Sequence, residues 1–297
     1  MTQQSGNEST FRSGYIALIG RPNAGKSTLL NTLLGHRLAI VTPKPQTTRH
    51  RILGILNGPN YQALLLDTPG ILDPKYTLQK LMKQEIERAL ADADVILLLI
   101  DVTGPVFEDL NLIAGKNAVI ALNKIDQIPR PNLLPIAERC AREGFDRIYM
   151  ISALKGDGIE DLKQALIQLL PEAPPFYPPD QISERPERFF VAELIREAIF
   201  HRYGAEVPYS TTVEIDEFKE RPGRKDYIRA TIYVEKDSQK AIIIGQGGTA
   251  LKKVGEIARE SIEQFLGRPV YLELWVKVAR NWRDNEHFIR RTVYGGV

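Results

Sequence analysis

One glycine-rich segment, Gly20–Ser27, constrains this chain more than any other feature of its sequence. It has the spacing G-x-x-x-x-G-K-S, and it lies directly after the apolar run Tyr15–Ile19 and directly before the helical run Ser27–Leu34. In that position the glycines let backbone N–H groups turn inward, and the helix N-terminus favours an anion. The segment therefore predicts a strand–loop–helix unit that holds the phosphates of a nucleotide, with Lys26 reaching the β- and γ-phosphates.

Short apolar runs alternate with longer amphipathic runs from Tyr15 to about Leu170, which is the pattern of a doubly wound α/β sheet. The predicted strands are Tyr15–Ile19, Arg51–Leu56, Gln62–Asp67, Val95–Asp101, Ala118–Asn123 and Arg147–Ile151. Together with the glycine-rich segment, they indicate the α/β fold of a P-loop NTPase.

A proline-rich stretch, Pro171–Asp180, has five prolines in ten residues and cannot continue a helix. With 297 residues the chain is long enough for two domains. We expect a disordered tail over 1–12, a nucleotide-binding domain over 13–170, a semi-rigid linker over 171–182 and a second, α+β domain over 183–297. The pattern of that domain is αββααβ, with a helix over Arg188–Tyr203, strands over Thr211–Phe218, Tyr227–Val234 and Val270–Val278, and two helices around a glycine cluster.

Further motifs follow the predicted strands and identify the nucleotide. Asp67-Thr-Pro-Gly70 ends the third strand, where the carboxylate can hold Mg²⁺ through a water and the Gly70 N–H can reach the γ-phosphate. Asn123-Lys-Ile-Asp126 ends the fifth strand, and Asp126 can accept two hydrogen bonds from guanine that adenine cannot donate. Ser152-Ala-Leu154 follows the sixth strand as a loop that contacts the base. The motifs predict a GTP site.

The polar segment Thr42–His50 has two prolines and no strong periodicity, so we interpret it as a switch loop ordered by the γ-phosphate and Mg²⁺. One threonine hydroxyl must complete the metal shell; Thr48 is the first choice and Thr47 the alternative. The predicted Mg²⁺ ligands are Ser27, Thr48 and Asp67, and the residues assigned to catalysis are Lys26, Thr48 and Gly70. The full predicted GTP site is Asn23, Ala24, Gly25, Lys26, Ser27, Thr28, Thr47, Thr48, Asp67, Gly70, Asn123, Lys124, Asp126, Ser152, Ala153 and Leu154.

The sequences GRPNAGKST, QTTRH, DTPG, NKID and SAL resemble those of the GTPase domain of the Era family, in the TrmE–Era–EngA group of translation GTPases. The segment Ile242–Thr249, with the helical run Leu251–Phe265 and the last strand, resembles the type II KH domain that follows the GTPase domain in Era. The resemblance implies a GTP-dependent switch that binds 16S rRNA near its 3′ end and acts in assembly of the 30S ribosomal subunit.

The glycine cluster Gly245–Gly248 fits the GXXG loop with which KH domains clamp a single-stranded backbone. The predicted RNA-binding residues are Gly245, Gln246, Gly247, Gly248, Lys252, Lys253, Lys277, Arg280 and Arg283. Arg290 and Arg291 are further candidates, although charges near a C-terminus are more often only solvated.

The residue after Gly70 is Ile71, whereas Ras-like GTPases have a glutamine there that orients the attacking water. The sequence therefore predicts slow intrinsic hydrolysis. The sequence leaves two substitutes for this glutamine open. Asn23 matches the position at which related GTPases coordinate K⁺, with carbonyls near Thr42 and Lys44 completing the shell, or a partner supplies the missing group.

Composition limits the remaining classes. No apolar run reaches the roughly 18 to 20 residues of a membrane-spanning helix. The first dozen residues lack the apolar core of a signal peptide, and Cys140 is the single cysteine, so we expect a cytoplasmic protein. We also expect a monomer. The net charge of +2 requires a local basic surface for RNA binding. Two alternatives are a signalling GTPase peripheral to the inner face of the cell membrane and a small-molecule P-loop kinase, which has no need of a guanine-reading motif.

Overall fold

The structure is a computed structural model that describes residues 10–104, 109–204 and 206–295. Internal contacts divide the chain into two compact units. The N-terminal unit contains the described residues up to His36, together with Arg51–Gly70 and Ile86–Glu184. The C-terminal unit contains Arg37–His50, Ile71–Glu85 and the described residues from Arg185 onward.

The N-terminal unit is built on a six-stranded sheet of order β2-β3-β1-β4-β5-β6. Its strands are β1 Arg12–Ile19, β2 Ile52–Gly58, β3 Tyr61–Asp67, β4 Val95–Asp101, β5 Ala118–Asn123 and β6 Ile148–Ile151. All neighbours are parallel except β2, which runs antiparallel to β3, so the sheet is mixed. All six predicted strands are present.

Helices connect these strands in the manner of a crossover fold. They are α1 Lys26–Leu34, α2 Thr77–Asp92, α3 Leu133–Arg142 and α4 Ile159–Leu169, with short 3-10 turns at Leu110–Leu112, Ile125–Gln127 and Arg130–Asn132. The central strands are apolar on both faces because both faces are covered; in β1, for example, Ile16, Ala17 and Leu18 are fully buried. The topology brings the loops after β1, β3, β5 and β6 to one edge of the sheet, where such folds bind ligands.

The proline-rich stretch is packed against the N-terminal unit. The buried Gln62 accepts hydrogen bonds from the backbone N–H groups of Phe176 and Tyr177 and donates one to the Tyr177 carbonyl. Farther along, the N–H of Ile55 donates to the Ile182 carbonyl. Since one buried carboxamide can satisfy several backbone groups of an extended segment, residues predicted to form a linker are ordered on the sheet.

The C-terminal unit contains a three-stranded sheet of order β7-β8-β9, with β7 antiparallel and β9 parallel to β8. Its elements are α5 Glu187–Arg202, β7 Thr212–Lys219, β8 Asp226–Val234, α6 Asp237–Ile244, α7 Thr249–Leu266 and β9 Val270–Val278, with 3-10 turns at Pro208–Ser210 and Gln246–Gly248. This is the αββααβ order predicted from sequence. The helices pack on one sheet face around a core that includes Ile199, Ile232 and Ile262.

Two segments ahead of Arg185 also belong to this unit. Ile40 is part of the same core, and Leu78 and Met82 pack with the buried Trp282. Helical turns that the sequence analysis missed complete the unit: Trp282–Asp284, Glu286–Phe288 and a π-helical turn at Ile289–Val293.

The domain ranges expected from sequence differ from these units at several points. The N-terminal unit extends to Glu184, beyond the predicted linker, and segments 37–50 and 71–85 group with the C-terminal unit. Of the expected tail 1–12, residues 1–9 lie outside the described residues, while Arg12 begins β1 and donates to the Leu170 carbonyl at 2.6 Å. Within the described ranges, no helix has both the length and the apolar character needed to cross a membrane.

Candidate nucleotide site and glycine loop

The phosphate-loop residues lie between β1 and α1, as the sequence predicts. Asn23 and Gly25 have φ values of 63° and 100°, so the chain turns through left-handed conformations just before the helix. A Cβ on Gly25 would lie 2.2 Å from Asn123 Nδ2, and one on Gly20 would lie 2.3 Å from the Leu99 carbonyl oxygen. Because a side chain has no space at either position, glycine is required by packing as well as by φ.

Lys26 is buried, and its ammonium group donates to the carbonyls of Gly20 and Arg21 at 2.9 and 3.0 Å. Burial lowers the pKa of Lys26 to about 8, although Asp67 and Asp109 act to raise it. An anion bound at the same place stabilises a buried cation that is held over a loop of backbone groups. Lys26 thus has the position expected of a phosphate-binding lysine.

A hydroxyl and a carboxylate meet at the start of α1. Ser27 Oγ donates to Asp67 Oδ2 at 2.7 Å, and Asp67 is fully buried at the end of β3. Hard oxygen groups are the ligands that Mg²⁺ prefers. Beyond Asp67, Gly70 lies against the phosphate loop, because a Cβ there would be 2.6 Å from the Pro22 nitrogen.

The predicted base-binding residues are linked to the phosphate loop through Asn123. Its Nδ2 donates to the Ala24 carbonyl at 2.7 Å, and its Oδ1 accepts from the Ala153 N–H at 2.9 Å. The Asp126 carboxylate is exposed and accepts from Ser152 Oγ at 2.6 Å. Leu154, next in the same loop, is 72% exposed. The structure therefore brings the motifs after β1, β5 and β6 into one cluster.

Three contacts of this cluster were missed by the sequence analysis. Lys124 Nζ donates to Asp101 Oδ2 at 2.6 Å. Arg21 Nε donates to Asp109 Oδ2 at 2.9 Å. Thr32, one turn beyond Thr28 in α1, donates to the Ala153 carbonyl at 2.8 Å. Asp101 had a detectable signal, since it ends a buried strand as Asp67 does; the other two contacts had none.

The predicted switch-loop threonines are placed differently, because Thr47 and Thr48 belong to the C-terminal unit. Both are buried there. Thr47 Oγ1 is 2.8 Å from Thr42 Oγ1 and donates to the Lys44 carbonyl, one of the groups expected to complete a K⁺ shell. The Thr47 carbonyl accepts from Arg196 of α5. The loop is thus tied to the helix that opens the KH-like fold.

The glycine cluster Gly245–Gly248 separates α6 from α7. Gly245, Gly247 and Gly248 have φ values of 71°, 56° and 80°, and Gly248 is the residue directly before α7. A Cβ on Gly247 or Gly248 would meet nothing within 4 Å, whereas one on Gly245 would lie 2.6 Å from Ala250 Cβ. The loop is therefore open on the side of Gly247 and Gly248, where a phosphate can approach the backbone.

A groove of about 380 Å³ runs from this loop between α7 and β9, with Leu251, Gly255, Leu272 and Leu274 among its lining residues. The exposed Lys252 also lines it. Arg259 lines the groove as well, together with two acidic residues, Glu256 and Glu273. The apolar wall and the two basic side chains suit the bases and phosphates of a single strand.

The other predicted basic residues are distributed more widely. Lys253 pairs with Glu256 at 3.0 Å, and Arg280 is 3.5 Å from Asp237. Lys277 is exposed next to the buried Val276, so by strand alternation its side chain points away from α7.

Three arginines near the C-terminus complete the predicted basic set. Arg283 forms an ion pair with Glu235 and packs over the Tyr76 ring, an arrangement typical of a structural arginine. Arg290 pairs with Glu286 at 2.7 Å, while Arg291 lies over the Phe288 ring. Only Lys252 among these basic residues is placed beside the glycine loop in the groove.

Two segments of the chain match models of known protein families. Residues 15–124 match a family described as 50S ribosome-binding GTPase, and residues 206–283 match the KH domain family. GTPase Era of Lactobacillus helveticus (strain DPC 4571) is 45% identical over 293 residues, which cover 97% of each chain.

Two solved structures are similar over nearly the whole chain. One is a crystal structure of Era in complex with MgGDPNP and nucleotides 1506–1542 of 16S ribosomal RNA, with a TM-score of 0.92 and 40% identity over 96% of this chain and 99% of that chain. The other, an Aquifex aeolicus Era variant bound to GDP·AlF₄⁻, gives the same values.

Proposed function

Because this chain belongs to the Era family of GTPases, we propose that it is a GTP-dependent switch that binds the 3′ region of 16S rRNA and acts in assembly of the small ribosomal subunit. The observation that carries the proposal is the coexistence of two sites in one chain. The phosphate loop and the motifs that contain Asn123, Asp126 and Ser152 cluster in the N-terminal unit, and an open GXXG loop with an adjoining groove lies in the C-terminal unit.

The proposal gives roles to individual residues of the nucleotide cluster. Lys26 and the backbone of Asn23–Thr28 bind the phosphates, and Asp126, oriented by Ser152, accepts from guanine. The Ser27 hydroxyl and the buried Asp67 carboxylate fit the oxygen ligand set of Mg²⁺, and Thr48 is the proposed third contributor. Bound Mg²⁺ would neutralise charge on the β- and γ-phosphates. The Gly70 N–H remains the proposed γ-phosphate contact.

We further propose that hydrolysis is slow and K⁺-stimulated, with Asn23 as a ligand. Ile71 offers no polar group to orient a water, so another positive charge near the phosphates is needed. Steady-state GTP turnover in KCl and NaCl at equal ionic strength tests this idea. The expected result is faster turnover in KCl, lost in Asn23→Ala; equal rates of the unmodified protein in both salts would refute it.

RNA binding is tested by a matched pair of glycine variants at the two ends of α7. Gly248 and Gly267 have φ values of 80° and 67°, and a Cβ at either meets nothing within 4 Å. Aspartate therefore causes similar backbone strain at both, but only at Gly248 does its charge face the proposed phosphate path. We expect Gly248→Asp to abolish binding of a 3′-terminal 16S oligonucleotide, with GDP affinity intact and Gly267→Asp unaffected.

The measurement is fluorescence anisotropy of a labelled oligonucleotide with full-length protein, with GDP affinity determined on the same samples. Equal RNA affinity of Gly248→Asp and Gly267→Asp would overturn the assignment of the loop. Loss of RNA binding in both variants would show that strain in α7, and not charge at the loop, is responsible.

A further inference from the structure

A second cavity in the C-terminal unit has a strong excess of arginine. Its volume is about 410 Å³, and none of the residues assigned above to GTP or to the GXXG loop lines it. The walls are the first half of α5, part of β7, residues 49–50 and the C-terminal segment from Arg291 to Gly295. All of these residues belong to one compact unit.

The charges of the lining residues are unbalanced. Five arginines line the cavity (Arg49, Arg185, Arg188, Arg196 and Arg291), against two carboxylates, Glu193 and Glu214. Arg49 and Arg196 are only 3% and 2% exposed. Burial lowers the pKa of Arg49 to about 9, and the charge of Arg196 acts in the same direction. Since buried cations are costly without anions, the cavity has a deficit of negative charge.

Hydrogen bonds within the protein do not satisfy all of the polar atoms of the cavity. Arg196 donates to Glu193 from Nε at 2.8 Å and from Nη2 at 2.5 Å, and Nη2 also donates to the Thr47 carbonyl. Its Nη1 is buried and has no hydrogen-bond partner among the described residues, and the same holds for Nδ1 of His50, which is 4% exposed. Buried polar atoms without a hydrogen-bond partner destabilise the folded protein, so a ligand that satisfies them gains affinity.

The unmet groups are held in fixed positions. The His50 ring packs edge-on against Phe189 at 5.0 Å and Tyr294 at 5.2 Å between ring centroids. The guanidinium of Arg196 lies 5.4 Å from the Phe200 ring and is fixed by Glu193. Neither side chain must lose much rotamer freedom to bind a ligand, which favours affinity.

We propose that this cavity binds a small phosphorylated molecule, whose phosphate takes hydrogen bonds from Arg196 Nη1 and from His50 Nδ1 in the imidazole tautomer that carries its proton on Nδ1. A guanidinium matches the geometry of phosphate oxygens, and the exposed Arg188 and Arg291 attract the anion at the surface. The volume exceeds that of a phosphate ion and lies within the range of small-molecule sites. Phe189 and Val213 provide apolar wall for the rest of the molecule.

Binding there has a consequence for the segment before His50. Arg196 would contact the phosphate through Nη1 and the Thr47 carbonyl through Nη2, so a bound anion and the segment before His50 share one guanidinium. We therefore expect occupancy to alter GTP affinity, and by linkage the nucleotide state to alter anion affinity. This consequence rests on the proposed switch role of Thr47 and Thr48, whereas binding in the cavity does not.

The test uses full-length protein saturated with Mg²⁺ and GDP, so that the phosphate loop is filled. Isothermal titration calorimetry with inorganic phosphate and, separately, with AMP distinguishes a phosphate-only ligand from a nucleotide. Tighter AMP binding indicates a base in the cavity, and equal or weaker binding indicates phosphate recognition alone. Sub-millimolar binding of either probe is the expected result. Absence of binding by both overturns the proposal.

Two neighbouring exposed arginines provide the control. Arg291 lines the cavity and Arg290 does not. Arg291→Gln is expected to weaken binding about threefold to tenfold and Arg196→Lys at least about tenfold, while Arg290→Gln has no effect. Equal weakening by Arg290→Gln and Arg291→Gln would mean nonspecific attraction and overturn the site. Should Arg196→Lys lose its native circular dichroism, the comparison of the two exposed variants still decides.

Discussion

The two glycine-rich loops of this chain resemble each other in backbone and differ in surroundings. Gly25 precedes α1 and Gly248 precedes α7, both with positive φ. Around Gly25 the space is filled by the Asn123 amide, 2.2 Å from where a Cβ would lie, whereas around Gly247 and Gly248 nothing lies within 4 Å. Side chains of its own unit pack around the first loop, whereas the space beside the second loop is open to a ligand.

This difference predicts how far the structural effect of a substitution extends from each loop. A substitution in the phosphate loop should displace the base-binding residues as well, because the Asn123 amide joins the Ala24 carbonyl to the Ala153 N–H. A substitution in the GXXG loop should change only the loop itself.

The largest effect is expected from Gly25→Ala. Its methyl group overlaps the Asn123 amide and its φ of 100° is unfavourable for alanine, so GTP affinity should fall at least about 100-fold. The matched variant Gly247→Ala has open space and a φ of 56°, and it should cost only about 1–2 kcal/mol of folding free energy with GTP affinity unchanged. Titration with a fluorescent GTP analogue measures the GTP affinity of the two variants, and urea unfolding measures their free energy of unfolding. Similar GTP affinities of the two variants would break the comparison.

A smaller but more selective effect is expected from Asp126→Asn. The carboxylate accepts two hydrogen bonds from guanine, and an amide both loses an acceptor and adds a donor, so GTP affinity should fall about 100-fold. Affinity for a xanthine nucleotide should rise, since its 2-oxo group can accept from the new amide. Competition binding with GTP, XTP and ATP provides the measurement, and Asp157→Asn in the neighbouring loop is the control. A variant that keeps its preference for GTP over XTP would contradict the assignment.

The contrast between the loops also explains what the sequence could predict. The motifs follow buried strands whose apolar runs are visible in sequence, so the fold, the family and the positions of Lys26, Asp67 and Asn123 were predictable. The Arg21–Asp109 contact joins residues far apart in sequence and leaves no local pattern.

The same reason explains why two segments group differently from the domain ranges expected from the sequence. The proline-rich stretch is ordered by Gln62, one polar residue inside an apolar strand, and residues 37–50 group with the C-terminal unit through contacts such as Arg196 with Thr47. Proline content predicts an extended chain, but it does not indicate which surface that chain will pack on.

Next in size is the support of Asp126 by Ser152. The 2.6 Å hydrogen bond orients the carboxylate before guanine binds, and its loss in Ser152→Ala should cost about 1 kcal/mol, or roughly fivefold in GTP affinity. Selectivity against ATP should be unchanged because the carboxylate remains. Stopped-flow measurement should place the loss in faster dissociation. A Ser152→Ala protein with unaltered dissociation would show that Asp126 is oriented without the hydroxyl.

The smallest effect concerns the outermost pair, Asp101 and Lys124, whose side chains are each about one quarter exposed. Burial alone would raise the pKa of Asp101, but hydrogen bonds from Lys124 and Thr103 outweigh it, and the pKa is lowered. A lowered carboxyl pKa contributes stability above its ordinary value near 4, and that contribution is lost as the pH falls through the folded-state pKa. Asp101→Asn should therefore be less stable than the unmodified protein at pH 7 by up to about 1 kcal/mol.

Urea unfolding at pH 7, 5 and 3.5 measures this difference, with the exposed Asp146→Asn as control. The gap between the unmodified protein and Asp101→Asn should be constant from pH 7 to 5 and shrink towards pH 3.5, while Asp146→Asn shows no gap. A gap that persists undiminished at low pH would indicate that Asp101 acts through packing and not through its charge. In that case the charge of Asp101 does not hold Lys124 in place, and Lys124 is held by its backbone turn alone. The nucleotide cluster is then supported only by Asn123 and Ser152.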